Sequence, residues 1–439
     1  MLRSFRVENH KSIRDEQELS LLPAYDKARP VVSVAAVFGA NASGKSNLLD
    51  ALRWLQSAVL TSYAGWLSGS GVPRTPFRLD PETAARVSGY AVDLVVDGIR
   101  YSYGVEADDE RVRAEWLYTY PHNRRRAIFE RDDNGIRLGS TVPDYRTRAE
   151  PLARQTRDNA LFLSVAAQND LAEAEPVFQW FRKGIAFGDA ERINQLEMIR
   201  RLEDERERRS IVALIRAADL GIADVGVTDL AAYLTPGTTS PADAEAQLTN
   251  ALVKLLEERA PHIAAAAHGR GHMSNLDIVF PRQLVFRHGR SEVPLGVQDQ
   301  SAGTRSWIAL MSHALDALDN GGLLLIDEVD ASLHPHLSAR LINLFRDAET
   351  NSRGGQLVFT THDATLLDDE TLSRDEVWFV EKEADTGATR LYPLTDFHPR
   401  KQENTEGRYL AGGYGAIPVL SDFDFREAVL RRQDSDATA

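Results

Sequence analysis

The chain has no cysteine in its 439 residues, which excludes disulfides and thiolate-bound zinc. It also lacks any apolar run near the roughly 18 residues that a bilayer-crossing helix needs. Its opening, Met-Leu-Arg-Ser-Phe-Arg, has neither the apolar stretch nor the small-residue cleavage site of a signal peptide. A cytoplasmic protein without a membrane segment is expected. Basic residues are outnumbered, 51 against 65 acidic, for a net charge of −14. That balance argues against a general binder of polyanions, so nucleic-acid contact would need a local basic patch. Arg124, Arg125 and Arg126 form one cluster, and Arg200, Arg201, Arg206, Arg208 and Arg209 another. Acidic neighbours flank both, and they read as solvated faces.

What is present begins with a phosphate loop. Gly39-Ala40-Asn41-Ala42-Ser43-Gly44-Lys45-Ser46 fits G-x-x-x-x-G-K-[ST] at every fixed position. A loop that wraps a triphosphate with backbone N–H groups needs glycine, because side chains would block the approach. Lys45 is placed to reach the β- and γ-phosphates, Ser46 to ligate Mg²⁺, and Asn47 opens the helix whose positive end faces the anion. The apolar run Val31 to Phe38 reads as the buried strand before the loop, and Asn47 to Leu60 as the helix after it. A chance match to the pattern in a chain of this composition has odds on the order of one per cent.

A second buried strand, Leu323-Leu324-Leu325-Ile326, delivers Asp327 and Glu328. Carboxylates at the carboxyl end of such a strand lie where open α/β sheets bind ligands. Asp327 suits the Mg²⁺ shell and Glu328 the polarisation of an attacking water; a helix N-cap would explain the pair as well. A third strand, Gln356 to Thr360, leads to His362, which suits either contact with a γ-phosphate or a structural hydrogen bond. Its spacing after Asp327 favours the first. Ser301-Ala302-Gly303-Thr304 opens a further helix and forms another small, hydroxyl-rich anion-binding element.

The order of these elements resembles the ABC-type ATPase heads of structural-maintenance and double-strand-break-repair proteins. It is most similar to the stand-alone bacterial ATPases of the AAA15/AAA21 group, often called abortive-infection or OLD-like. Phe5-Arg-Val-Glu-Asn9-His-Lys-Ser12-Ile13 resembles that group's opening strand pair, Glu328-Val-Asp-Ala-Ser332-Leu333-His334-Pro335 its passage after the second motif, and Tyr409 to Pro418 its C-terminal end. The resemblance implies an α/β fold of the ABC-type head: a mixed β-sheet core with the phosphate loop, a β-meander lobe and a helical insertion. It implies ATP and Mg²⁺ as ligands, with Lys45, Glu328 and His362 in the catalytic roles and Ser46 and Asp327 at the metal. Gly39 to Asn47 would hold the nucleotide. Ser301 and Gly303 would act as a signature loop on ATP bound by a second protomer, which makes the active form a homodimer or higher even oligomer. The signature departs from the transporter form, and Gln168 is the one candidate for the glutamine that contacts Mg²⁺.

The domain plan that follows is an N-terminal ATPase half over 1–150 with the meander at about 90–131, a helical insertion over 151–270, a C-terminal half over 271–430 and a polar tail over 431–439. Within the insertion Ile193 to Ala218 and Ala242 to Glu258 read as amphipathic helices; Leu276 to Phe280 and Leu284 to Arg287 read as strands. The function expected is a dimeric ATP switch in antiphage defence, with a separately encoded effector such as a nuclease. A DNA-repair or chromosome-maintenance ATPase is the alternative. The insertion is too short for a long coiled coil, the signature is not that of a transporter, and fewer than about eighty residues after His362 leave no room for a fused nuclease domain of the usual size.

Overall fold

The computed structural model describes residues 1–139, 144–189, 193, 195–234, 243, 246–248, 251, 254, 282–291, 293–368, 370–401, 403–418, 426 and 427. They fall into two compact units, Met1–Gly188 with His313–Ala439, and Asp189–Ser312.

Alternating apolar and polar residues build the first sheet of the larger unit. Strands β1 (Leu2–Glu8), β2 (Gln17–Ser20), β4 (Ser88–Val96), β5 (Ile99–Ala107), β6 (Val112–Thr119), β7 (Arg126–Asp132) and β8 (Gly135–Leu138) pair in the order β2-β1-β4-β5-β6-β7-β8, antiparallel throughout. Asp97 and Gly98 turn β4 into β5 with positive φ at both residues, the backbone that a tight hairpin of right-twisted strands requires. Phe5, Val92, Tyr103, Leu117 and Phe129 lie in one core with Leu52, Leu55 and Val59 of the helix Lys45–Gly65 and with Phe162 and Phe181. Phe129 and Phe162 meet edge to face at 4.9 Å.

Glu115 ties this sheet to the helices beyond it. The residue is fully buried on β6. Its carboxylate accepts hydrogen bonds from the amides of Phe162 (2.6 Å) and Leu163 (2.9 Å) and from the Tyr103 hydroxyl (3.1 Å). It thus satisfies the first free N–H groups of the helix Phe162–Gln168. Buried Arg131 supplies the opposite charge and donates to the carbonyls of Ala160 (2.7 Å) and Asp158 (2.9 Å). Helices Tyr145–Gln155, Phe162–Gln168 and Glu175–Lys183 therefore belong to the larger unit, and the insertion expected from residue 151 begins instead at Asp189. Their helical periodicity is real, but its apolar face is spent on the core of the larger unit.

The second sheet is nearly all parallel. β3 (Val34–Phe38), β9 (Ile185–Gly188), β13 (Leu323–Ile326), β14 (Gln356–Thr361), β15 (Val377–Lys382) and β16 (Thr389–Pro393) lie in the order β16-β15-β3-β14-β13-β9, with only β16 antiparallel. Every residue of β3, β13 and β14 is buried, as continuous apolar runs covered on both faces should be. The carboxyl ends of the five parallel strands then share one edge. Together the two sheets give the expected α/β class, a mixed sheet that carries the phosphate-loop strand and a separate antiparallel meander.

In the smaller unit, β10 (Ile222–Asp229), β11 (Arg282–His288) and β12 (Leu295–Gly296) make a three-stranded antiparallel sheet, so the stretch expected to be helical also contributes strand. The charged stretch from Ile193 forms two helices, Gln195–Glu203 and Glu205–Ala217, broken at Asp204, whose side chain caps the second by accepting from Arg206 and Glu207 amides. The helix Ala302–Asn320 starts in this unit and continues into the larger one. Leu276 to Phe280, most of Ala242 to Glu258 and the 431–439 tail lie outside the described residues. No described helix is long and apolar enough to cross a membrane.

Candidate phosphate-binding site

β3 ends at Phe38, and the chain enters the loop through two glycines that nothing larger could replace. A Cβ on Gly39 would collide with the Val380 carbonyl of β15. Gly44 has φ 109°, which L side chains rarely adopt, and a Cβ there would collide with the Thr389 hydroxyl. The loop is braced by a chain of hydroxyls. Asn47 Nδ2 donates to Ser12 Oγ (2.6 Å), Ser12 donates to Thr389 Oγ1 (2.6 Å), and Thr389 donates to the Ser43 carbonyl (2.8 Å). Ser12 comes from the turn after β1 and Thr389 from β16, so both ends of the sequence hold the loop. Thr389 carries no motif signal; only its place opposite Gly44 gives it away.

Lys45 begins the helix Lys45–Gly65 and is buried. Its ammonium donates to the carbonyls of Gly39 (2.9 Å) and Ala40 (3.0 Å) and faces His362 Nδ1 at 3.4 Å. Desolvation lowers its pKa, and the carboxylates of Glu328, Asp327 and Asp330 work against that. An ammonium can only donate, so Nδ1 of His362 is the acceptor and Nε2 carries the hydrogen. Ser12, the loop from Asn41 to Asn47, Glu328, His362 and Lys382 line a cleft of about 430 Å³. Asn41, Ala42 and Ser46 are exposed, while Ser43 is buried with its hydroxyl unpartnered. The first amides of the helix have no intrahelical acceptor, which is the general condition that makes a helix start receptive to anions.

β13 and β14 bring the acidic groups to the same edge. Asp327 and Glu328 follow β13 and are exposed, and Glu328 has φ 53°. Thr360, fully buried on β14, donates through Oγ1 to Asp327 Oδ1 (2.5 Å) and accepts from the Glu328 amide (2.7 Å). His362 Nε2 stands 3.7 Å from Glu328 Oε1, and the His362 amide faces the Asp330 carboxylate at 3.3 Å. Ser46 and Asp327 also border a second cavity of about 230 Å³, together with Lys11, Asp50 and Arg53. A hydroxyl and a carboxylate are hard oxygen donors, which fits Mg²⁺, an ion that keeps water and takes few protein ligands. Among the described residues no group of three or more His, Cys, Asp or Glu is arranged to hold a metal alone.

Two sequence expectations fall elsewhere. Gln168 ends the helix Phe162–Gln168 and lines a separate cavity with Leu60, Asp170 and Gln179. Leu60 lies some fifteen residues along the helix from Lys45, or about 22 Å at 1.5 Å per residue, so Gln168 is not part of the phosphate-loop cleft. The helix that carries it packs on the far half of the phosphate-loop helix. Ser301 and Gly303 belong to the smaller unit. Ser301 is exposed and caps the helix Ala302–Asn320, accepting from the Thr304 amide at 3.1 Å. Gln300 beside it is buried, bonded to His288 (2.9 Å) and to the Gly296 carbonyl (3.1 Å).

The family described as "AAA domain, putative AbiEii toxin, Type IV TA system" matches residues 34–368. No curated protein matches the chain. Among solved structures, it is similar to an SmcHead bound to the C-winged helix domain of ScpA, at 11% identity over 90% of this chain and 99% of that one, with a TM-score of 0.41. It is also similar to the SMC head domain from Thermotoga maritima, at 13% identity over 89% and 98%, with a TM-score of 0.35.

Proposed function

Because the chain belongs to the AAA-domain family so described, we propose that it binds ATP with Mg²⁺ and hydrolyses it as a homodimeric switch. The observation that carries this reading is the meeting of Lys45, Glu328 and His362, from three distant segments, around one cleft of about 430 Å³. Gly39 to Asn47 cradle the phosphates. Lys45 exchanges its contacts with the loop carbonyls for phosphate oxygens, and Ser46 and Asp327 hold the metal. When bound, Mg²⁺ neutralises charge that develops on the phosphates. Glu328 takes the proton of the attacking water, and His362 offers its Nε2 hydrogen to the terminal phosphate.

Ser301 and Gly303 act on the nucleotide of a second protomer, so two sites close at once across a two-fold axis. The exposure of Ser301 at a helix start supports that role. In the cell the switch works in the cytoplasm in antiphage defence, governing a separately encoded effector such as a nuclease. The family description, which names a toxin system, supports this part.

The test is turnover of ATP by the purified chain with Mg²⁺ and with EDTA. Lys45→Ala should abolish ATP binding. Glu328→Gln should bind ATP and lose hydrolysis. Parental turnover by Glu328→Gln would remove Glu328 from the chemistry.

A further inference from the structure

Thr360 carries no motif signal of its own, yet it touches both residues of the acidic pair. Its side chain is fully buried on β14, the strand between β3 and β13. One hydroxyl there does two things. It donates its only hydrogen to Asp327 Oδ1 at 2.5 Å, and it accepts the Glu328 amide at 2.7 Å. The neighbouring backbone repeats the link, with the Val329 amide donating to the Thr360 carbonyl at 3.0 Å.

The second contact bears on Glu328 directly. Glu328 has φ 53°, a left-handed backbone that costs a residue with a Cβ energy to adopt. That strain persists only where surrounding bonds over-determine it. Released to an ordinary β or helical conformation, the same residue would aim its carboxylate elsewhere. The first contact fixes the rotation of the Asp327 carboxylate, one residue earlier. The two carboxylates are therefore oriented by a single buried oxygen on the strand that leads to His362.

We propose that Thr360 is a positioning residue for hydrolysis, holding Asp327 and Glu328 in register with the phosphate loop. This rests on the ATPase reading above. The test compares Thr360→Val, which keeps the volume and removes the hydroxyl, with Thr360→Ser, which restores it, beside the parent and Glu328→Gln.

In Thr360→Val, kcat should fall about tenfold or more while the affinity for ATP stays within about threefold, the split expected when a group acts in the transition state and not in ground-state binding. Thr360→Ser should return kcat to within about threefold of the parent. A parental kcat in Thr360→Val overturns the proposal and leaves the ATPase reading intact. Equal loss of ATP affinity and thermal stability in both variants also overturns it, since the position would then serve packing alone. A parent that binds but never hydrolyses ATP overturns the ATPase reading, and the role of Thr360 with it.

Discussion

Two glutamates in the larger unit show opposite uses of one side chain. Glu115, in the middle of the antiparallel sheet, is fully buried; two amides and a phenol donate to it, and the charge of Arg131 lies nearby. Glu328, at the rim of the parallel sheet, is exposed and sits on a strained backbone, with the His362 ring nitrogen 3.7 Å from its carboxylate. A saturated group can do nothing further, and its value is to the fold. A group held in an unfavourable conformation with its acceptors open serves something that arrives from outside. The contrast gives stability to the meander and, on the proposed reading, chemistry to the rim.

The sharpest way to break that division is to remove one charge at a time. Glu328→Gln should lower ATP turnover by about 100-fold or more, the scale of a lost general base, with an unchanged urea midpoint. Next in size is the mixing of Lys45→Ala with Ser301→Arg protein. Each alone should be inactive, and an equal mixture should recover about a quarter of parental ATPase, because half the random pairs contain one intact composite site of two. Parental activity in either single variant would show that the exposed groups do not await a second protomer.

Glu115→Gln should leave Arg131 buried without its counter-charge and cost on the order of 3 kcal/mol, read as a shift of the urea midpoint, while each folded molecule keeps parental turnover. Loss of turnover without loss of stability would move Glu115 to the chemical side of the comparison.

The smallest effect is at Asp50, on the phosphate-loop helix. A hydrogen bond from His10, helped by Lys11, holds its carboxyl at about 2. A depressed folded value gives stability that is present above pH 4 and lost as the pH falls toward 2. Asp50 is 36% exposed, so the contribution is discounted to about 1 kcal/mol. Asp50→Asn should be less stable than the parent at pH 7, and the gap should close between pH 5 and pH 2. A gap independent of pH would show that the bond to His10, and not the charge, matters.

The motifs were legible because each is contiguous: a strand, a turn and the functional residues lie within about ten positions, and period and composition mark them. The meander at about 90–131 shows for the same reason, its strands alternating over short contiguous runs. β9 was not. Ile185-Ala-Phe-Gly188 is too short to show a period, and only pairing with β13 makes it a strand. The start of the second compact unit at Asp189 is not legible in the sequence, because amphipathic helices look alike whether they cover a core or form an arm; the Glu115 contacts that tie the helix Phe162–Gln168 to the sheet join residues far apart in sequence. Thr360 and Thr389 escaped for that reason too. A hydroxyl in a strand carries no local mark of the loop it will meet.

The position of β3 has a consequence for how the chain is made. Its hydrogen-bonded neighbours are β14 and β15, so Val34 pairs with Leu357 and Ala36 with Val377. A ribosome would release the complete phosphate loop long before either flanking strand exists, and contacts this far apart in sequence form late and slowly. The growing chain thus carries its signature motif without the scaffold that gives it shape. On the proposed reading, a nascent chain stopped before Gln356 should fail to bind ATP, because β3 would lack both of its hydrogen-bonded neighbours.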